Sequence, residues 1–143
     1  MPQTFTLEQS YLSFVEFLLL SKKRIFEIGA SQRLTNMQTI ALLLLETPRP
    51  IGSFRYIFNC DASNVTGIID GLEQKQLVKR YEDVADRRIK MVRLLARGKQ
   101  VRQTLLHRLT SDDEYILAKL SPTEAKDFMK LVQKITGTSI INE

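Results

Sequence analysis

The chain is poor in the residues that build disulfides, metal sites and membrane spans, and each scarcity removes a class of function. Cys60 is the only cysteine, so an intrachain disulfide is impossible and the thiol fits a reducing compartment. A bilayer span needs about 20 apolar residues. The longest uncharged stretch, Leu34 to Leu45, falls short of that and includes Thr35, Asn36, Gln38 and Thr39. No basic segment precedes an apolar run near Met1, so a secretory signal is not expected, and the expected location is the cytoplasm. His107 is the only histidine, no Cys/His cluster has metal-site spacing, and no glycine-rich phosphate loop is present. The expectation is a protein that is not an enzyme, with no cofactor, no metal and no membrane partner.

What remains is a basic segment in an ordinary globular composition. At 143 residues and 43% hydrophobic content the chain is long and apolar enough for one domain with a core. Its net charge of +5 is unevenly placed. Eleven basic residues lie between Lys75 and Arg108, opposed only by Glu82, Asp83 and Asp86, so the rest of the chain is net acidic. A polyanion partner and a solvated charged face both account for such a block.

The organising stretch runs from Asp61 to Leu95. Val65, Ile68, Ile69 and Leu72 fall at i, i+3, i+4 and i+7, one apolar stripe of a helix over 61–76 that Asp61 can cap. Leu77 and Val78 open a basic, β-branched run, Tyr81 to Asp86 is polar, and Ile89 to Leu94 is a second apolar segment threaded with Lys90 and Arg93. A helix followed by an antiparallel pair with a charged tip outlines a winged helix.

Upstream, residues 5–28 form a long helix with Leu7, Tyr11, Phe14, Val15, Leu18 and Ile25 on one face and Phe17, Leu19 and Leu20 elsewhere; a second subunit could cover what one domain cannot. Gly29 to Arg33 is a connection, Thr35 caps a helix over 36–46, and Pro50 begins a short helix ending near Phe58. Asn59-Cys60-Asp61 is a tight turn, which makes this helix and the next a helix-turn-helix. Downstream, 97–119 is helical with an interruption near Thr110 to Asp113, its apolar positions including Val101, Leu105, Leu109 and Ile116. Ser121-Pro122-Thr123-Glu124 starts a last helix over 122–136. The fold class is mainly α with a β-hairpin wing.

These motifs, in this order, resemble the MarR family of dimeric winged-helix transcriptional regulators. The residues that carry the resemblance are Val65-Thr66, Asp70 and Leu72-Glu73, then Leu77-Val78-Lys79-Arg80, Asp86-Arg87-Arg88, Val92-Arg93-Leu94 and Gly98. The resemblance implies one unit over 1–143, with a DNA-binding winged helix-turn-helix over 34–95 and dimerisation helices at 5–28 and 97–136. It also implies a homodimer on double-stranded DNA and a small-molecule effector near the junction of the two regions. The arginine matching Arg88 would enter the minor groove, steadied by Asp86; a weakly hydrated guanidinium suits a narrow, electronegative groove. Ser63, Asn64, Thr66, Gly67, Lys75, Lys79, Arg80, Arg87 and Lys90 complete the candidate DNA-binding set.

The sequence departs from the family pattern at three places. Leu95-Ala96 replaces Leu-Thr, Gln76 replaces a glycine, and Gly67 and Gly71 stand where cations are common. Ser63, Gly67, Asp70, Gly71 and Gln74 lie roughly opposite the apolar stripe. That face allows close backbone approach to DNA, or weak direct readout with affinity carried by Lys75, Lys79, Arg80 and the wing, or no reading of DNA at all. Cys60 reads as a small filler rather than a redox-sensing thiol. Phe54, Tyr56 and Phe58 read as core before pocket lining. The expected function is a homodimeric, sequence-specific regulator, a ligand-responsive repressor on a palindromic operator. The alternative is a winged-helix protein-interaction or antirepressor module without sequence-specific DNA binding.

Overall fold

In the computed structural model, residues 6–111 and 116–137 are described. The element order is α1 (Leu7–Ser31), α2 (Asn36–Leu44), β1 (Arg49–Pro50), α3 (Ser53–Phe58), α4 (Ala62–Gln74), β2 (Val78–Glu82), β3 (Lys90–Leu94), α5 (Ala96–Ser111), a 3-10 turn (Ile116–Lys119) and α6 (Pro122–Thr136). This is the expected mainly helical chain with a wing. The expected helix start at Phe5, the apolar role of Ile116 and the interruption at Asp112 and Asp113 lie outside the described residues or side chains.

Local chemistry sets the helix starts. Thr6, Thr35 and Ser121 each accept from the backbone N–H three residues on, while Gln9, Gln38 and Glu124 reach back to the cap's own N–H. Each such box satisfies two otherwise orphaned donors. Asp61 caps α4 by accepting from Asn64 N–H at 2.9 Å.

The helix ends follow a rule the sequence conceals. Arg33, Asn59 and Gln76 all take the left-handed conformation, with φ of 58°, 48° and 57°. Behind each, paired bonds close the helix: Gln76 N–H donates to Glu73 O and Leu77 N–H to Leu72 O, and Leu34 N–H reaches Gly29 O. These are the bonds of a Schellman terminus, which usually has glycine at the left-handed position. The connection expected at Gly29 to Arg33 is therefore only partly correct. α1 runs on to Ser31, because Gly29 is needed inside the helix: a Cβ there would collide with Thr39 of α2.

A second correction concerns Pro50. It does not begin a helix; Arg49 and Pro50 form an edge strand opposite Val92 and Met91 of β3. The sheet order is β1-β3-β2, antiparallel throughout, with Arg80 opposite Val92 and Glu82 opposite Lys90. Proline is tolerated at such an edge, where its missing donor breaks no ladder.

The core lies where α2, α3, α4, β3 and α5 converge. Leu42, Phe54, Ile69, Leu72, Val92 and Leu105 are wholly excluded from solvent there. Phe54 stacks on Phe58 at 5.4 Å between centroids, whereas Tyr56 points outward. Cys60 is partly buried against this cluster, the filler position expected of it. α5 closes the unit through Gly98, where a Cβ would meet the Leu77 carbonyl. No helix of the described residues is long and apolar enough to cross a membrane.

Candidate nucleic-acid interface

The helix-turn-helix and the wing meet at one end of the molecule. α3, the first two turns of α4 and the base of the wing enclose an open cleft of about 380 Å³, lined by Gly52, Arg55, Ala62, Thr66, Arg88 and Lys90 among others. Arg55 from α3 and Arg88 and Lys90 from the wing line this cleft beside the N-terminus of α4, an arrangement suited to phosphate oxygens.

The wing tip is built by two aspartates. Asp83 Oδ1 accepts from the backbone N–H groups of Ala85 (2.8 Å) and Asp86 (3.0 Å), which folds the turn. Asp86 then accepts from Arg88 three times: the backbone N–H, Nε and Nη2, each at 3.0 Å. The bidentate pair holds the Asp86 carboxyl below the usual carboxylate range, with the Arg88 side chain the largest cause and its backbone N–H the next. The Arg88 side chain is nonetheless 91% exposed. A guanidinium gripped on one edge and presented to solvent on the other keeps free donors for a polyanion while losing conformational freedom. Arg87 is exposed beside it, and Lys90 pairs across the hairpin with Glu82 at 2.6 Å.

α4 presents Ser63, Asn64, Thr66 and Gly67 outward on its first two turns, as the sequence suggested. Asp61, which anchors that turn, is pulled below its ordinary pKa first by the Asn64 N–H and then by the Ser63 hydroxyl. Nothing lies within 4 Å of where a Cβ on Gly67 would stand. Gly71 differs: a Cβ there would collide with the Gln38 amide of α2, so this glycine serves helix packing and not an open reading face.

Two of the expected DNA-binding cations are occupied elsewhere. Lys75 Nζ donates to Arg33 O (2.5 Å) and Gln38 Oε1 (2.8 Å), clasping the end of α4 to the α1–α2 corner. Arg80 pairs with both Asp70 and Glu73 of α4, and its own backbone N–H donates to Glu73 at 2.9 Å. Asp70 is thereby removed from the reading face too. Pairing across distant segments is invisible in a linear charge count. Lys79, by contrast, is exposed on β2. Arg55 was missed by sequence reasoning; its signal was an exposed cation on the helix just before the Asp61 cap, and it is one of the charges that lower the Asp61 pKa.

Away from this end, α1 leaves Leu7, Tyr11, Leu12, Phe14, Leu18, Leu19 and Leu20 exposed, and α6 leaves Met129, Leu131 and Ile135 exposed. Phe17 instead packs edge-on against Phe128 of α6 at 5.6 Å. A mostly apolar cavity of about 300 Å³ lies between α1 and α5, lined by Phe17, Ser21, Arg24, Ile25, Leu106 and Leu109 among others. His107 is on the surface, 3.1 Å from the Ser111 hydroxyl. Among the described residues no group of His, Cys, Asp and Glu is arranged to hold a metal.

Comparison with known proteins agrees with this geometry. The MarR family model matches residues 50–90, from the end of β1 to the start of β3. Transcriptional regulator HosA of Escherichia coli is 39% identical over 67 residues, 47% of this chain, and the match spans half of the relative's length. Among solved structures, a MarR-family transcriptional regulator from Silicibacter pomeroyi superposes with a TM-score of 0.74 at 20% identity, over 91% of this chain and 90% of that one. The transcriptional regulator BldR from Sulfolobus solfataricus gives 0.71 at 22% identity, over 94% and 100%. Over the helix-turn-helix and much of the wing the sequence is similar to the MarR family, and over nine-tenths of the chain the fold is that of the MarR-family structures.

Proposed function

We propose that this chain is a DNA-binding transcriptional regulator, acting as a homodimer and as a ligand-responsive repressor on a palindromic operator. The observation that carries the reading is the Arg88–Asp86 clamp, a rigidly presented guanidinium beside an exposed helix N-terminus, with Arg55 and Lys90 lining the cleft between them. α4 enters the major groove and the wing reaches the adjacent minor groove. The apolar faces of α1 and α6 support a second copy as their cover, because surfaces of this size and hydrophobicity rarely stay exposed. Two-fold symmetry then sets half-sites about one helical turn apart, ~10 bp. The cavity between α1 and α5 supports an apolar effector whose binding changes the spacing of the two reading helices.

A salt-titrated binding assay with Arg88→Ala tests this. The expected result is at least a tenfold loss of affinity and a shallower salt slope in a protein that remains folded. Unchanged affinity would favour the second reading, a protein-interaction or antirepressor module. That reading draws support from the internal pairing of Lys75 and Arg80, which leaves fewer cations for DNA than the sequence suggests.

A further inference from the structure

We infer that Asn64 is the base-reading side chain of α4 and that it selects adenine in the major groove. The inference rests on the DNA-binding reading above and adds the base chemistry to it.

The polar side chains on the exposed first two turns of α4 are Ser63, Asn64 and Thr66. Two are spent on the helix itself. The Ser63 hydroxyl donates to Asp61 Oδ1 at 2.7 Å, and the Thr66 hydroxyl donates to Ala62 O at 2.9 Å. Only the backbone N–H of Asn64 is engaged, by Asp61. Its carboxamide has no hydrogen-bond partner among the described residues. At the N-terminal end of a recognition helix, where base edges are met, it is the one uncommitted group with both a donor and an acceptor.

That pair of functions discriminates. Adenine presents the N7 acceptor and the N6 donor side by side in the major groove, which a carboxamide matches with two bonds. Guanine presents two acceptors there, so one would face the amide oxygen. Asparagine is short, so the helix must lie close to the groove floor. Gly67, one turn further along the same side, permits that. It weakens the helix, yet no neighbour requires it, since the space around it is open. Gly71, by contrast, is explained by Gln38. Arg55, on the helix before α4, lines the approach and can hold a phosphate while the amide reads the base.

The experiment is selection from a random duplex pool at fixed salt, with the wild-type protein, Asn64→Ala and Gly67→Leu in parallel. The wild type should enrich one strongly preferred adenine in each half-site. Asn64→Ala should lose about five- to a hundredfold of preference at that position alone, with an unchanged melting temperature and salt slope. Gly67→Leu should lose the same preference without unfolding. An adenine preference that persists in Asn64→Ala, as reading by Gln74 at the far end of α4 would give, overturns the inference and leaves the regulator reading intact. Salt-dependent binding with no enrichment by the wild type overturns both.

Discussion

The winged centre of the chain and its terminal helices are stabilised differently. Between α2 and α5 nearly every apolar stripe is buried against another part of the same chain, and Leu42, Phe54, Ile69, Leu72 and Val92 are fully enclosed. Buried residues of α1 are confined to its last turns, at Ile28 and Gly29, and α6 has none. Yet α6 begins with a complete capping box and α1 has one too. Good local signals can make a helix without supplying a surface to pack on. The centre buries its own apolar surface, while the arms are amphipathic helices whose apolar faces the rest of the chain leaves exposed.

The strongest way to break this contrast is at the core. Phe54→Ala should destabilise the fold by about 3–5 kcal/mol, because it removes a fully buried ring and leaves a cavity. Denaturant unfolding followed by circular dichroism measures it. The corresponding change in the arms, Leu18→Glu, should abolish dimerisation at micromolar concentration in light scattering while the wing's own unfolding transition survives. If the monomer also loses the winged fold, the centre is not self-sufficient.

Finer comparisons separate cations tied within the fold from cations left exposed. Lys75→Ala should cost about 1–2 kcal/mol of stability, since it opens the clasp on Arg33 and Gln38, and should leave the salt slope of DNA binding unaltered. Lys79→Ala should do the reverse, lowering the salt slope by about one with little change in stability. Gln76→Gly should raise stability by about 1 kcal/mol, because the left-handed backbone at φ 57° favours glycine.

The smallest effect is acidic. Asp61, Asp86 and Glu124 all titrate below their ordinary values, through hydrogen bonds from Asn64, from Arg88 and from the Ser121 backbone respectively. A carboxyl whose pKa is lower in the folded than in the unfolded chain adds stability above its unfolded value, and loses it as pH falls through the folded one. These groups should leave thermal midpoints flat from about pH 5 to 8 and contribute to a decline below about pH 4. Asp86→Asn should reduce that decline and loosen the wing arginine even at neutral pH.

What could be read in advance was whatever depends on neighbours in the chain. The caps at Thr35, Asp61 and Ser121, the α4 stripe and the Asp86–Arg88 pair each involve residues within a few positions of one another. The errors occur where the deciding partner is distant. β1 exists only because Arg49 and Pro50 meet Val92 and Met91, about forty residues on. Gly29 resembles a helix stop until Thr39 is packed against it, and the true stops at Arg33 and Gln76 lack the usual glycine. A count of cations does not reveal that Lys75 and Arg80 close contacts that only folding creates.

By itself the sequence determined the main helices, the β2–β3 wing, their order and the resemblance to the family pattern, because capping, apolar periodicity and turn chemistry act over three to seven residues. Tertiary structure alone decided that Gly29 and Gly71 are held by packing, and that Lys75 and Arg80 are tied within the fold. Those outcomes depend on side chains meeting across distant segments, and no local pattern encodes such distances.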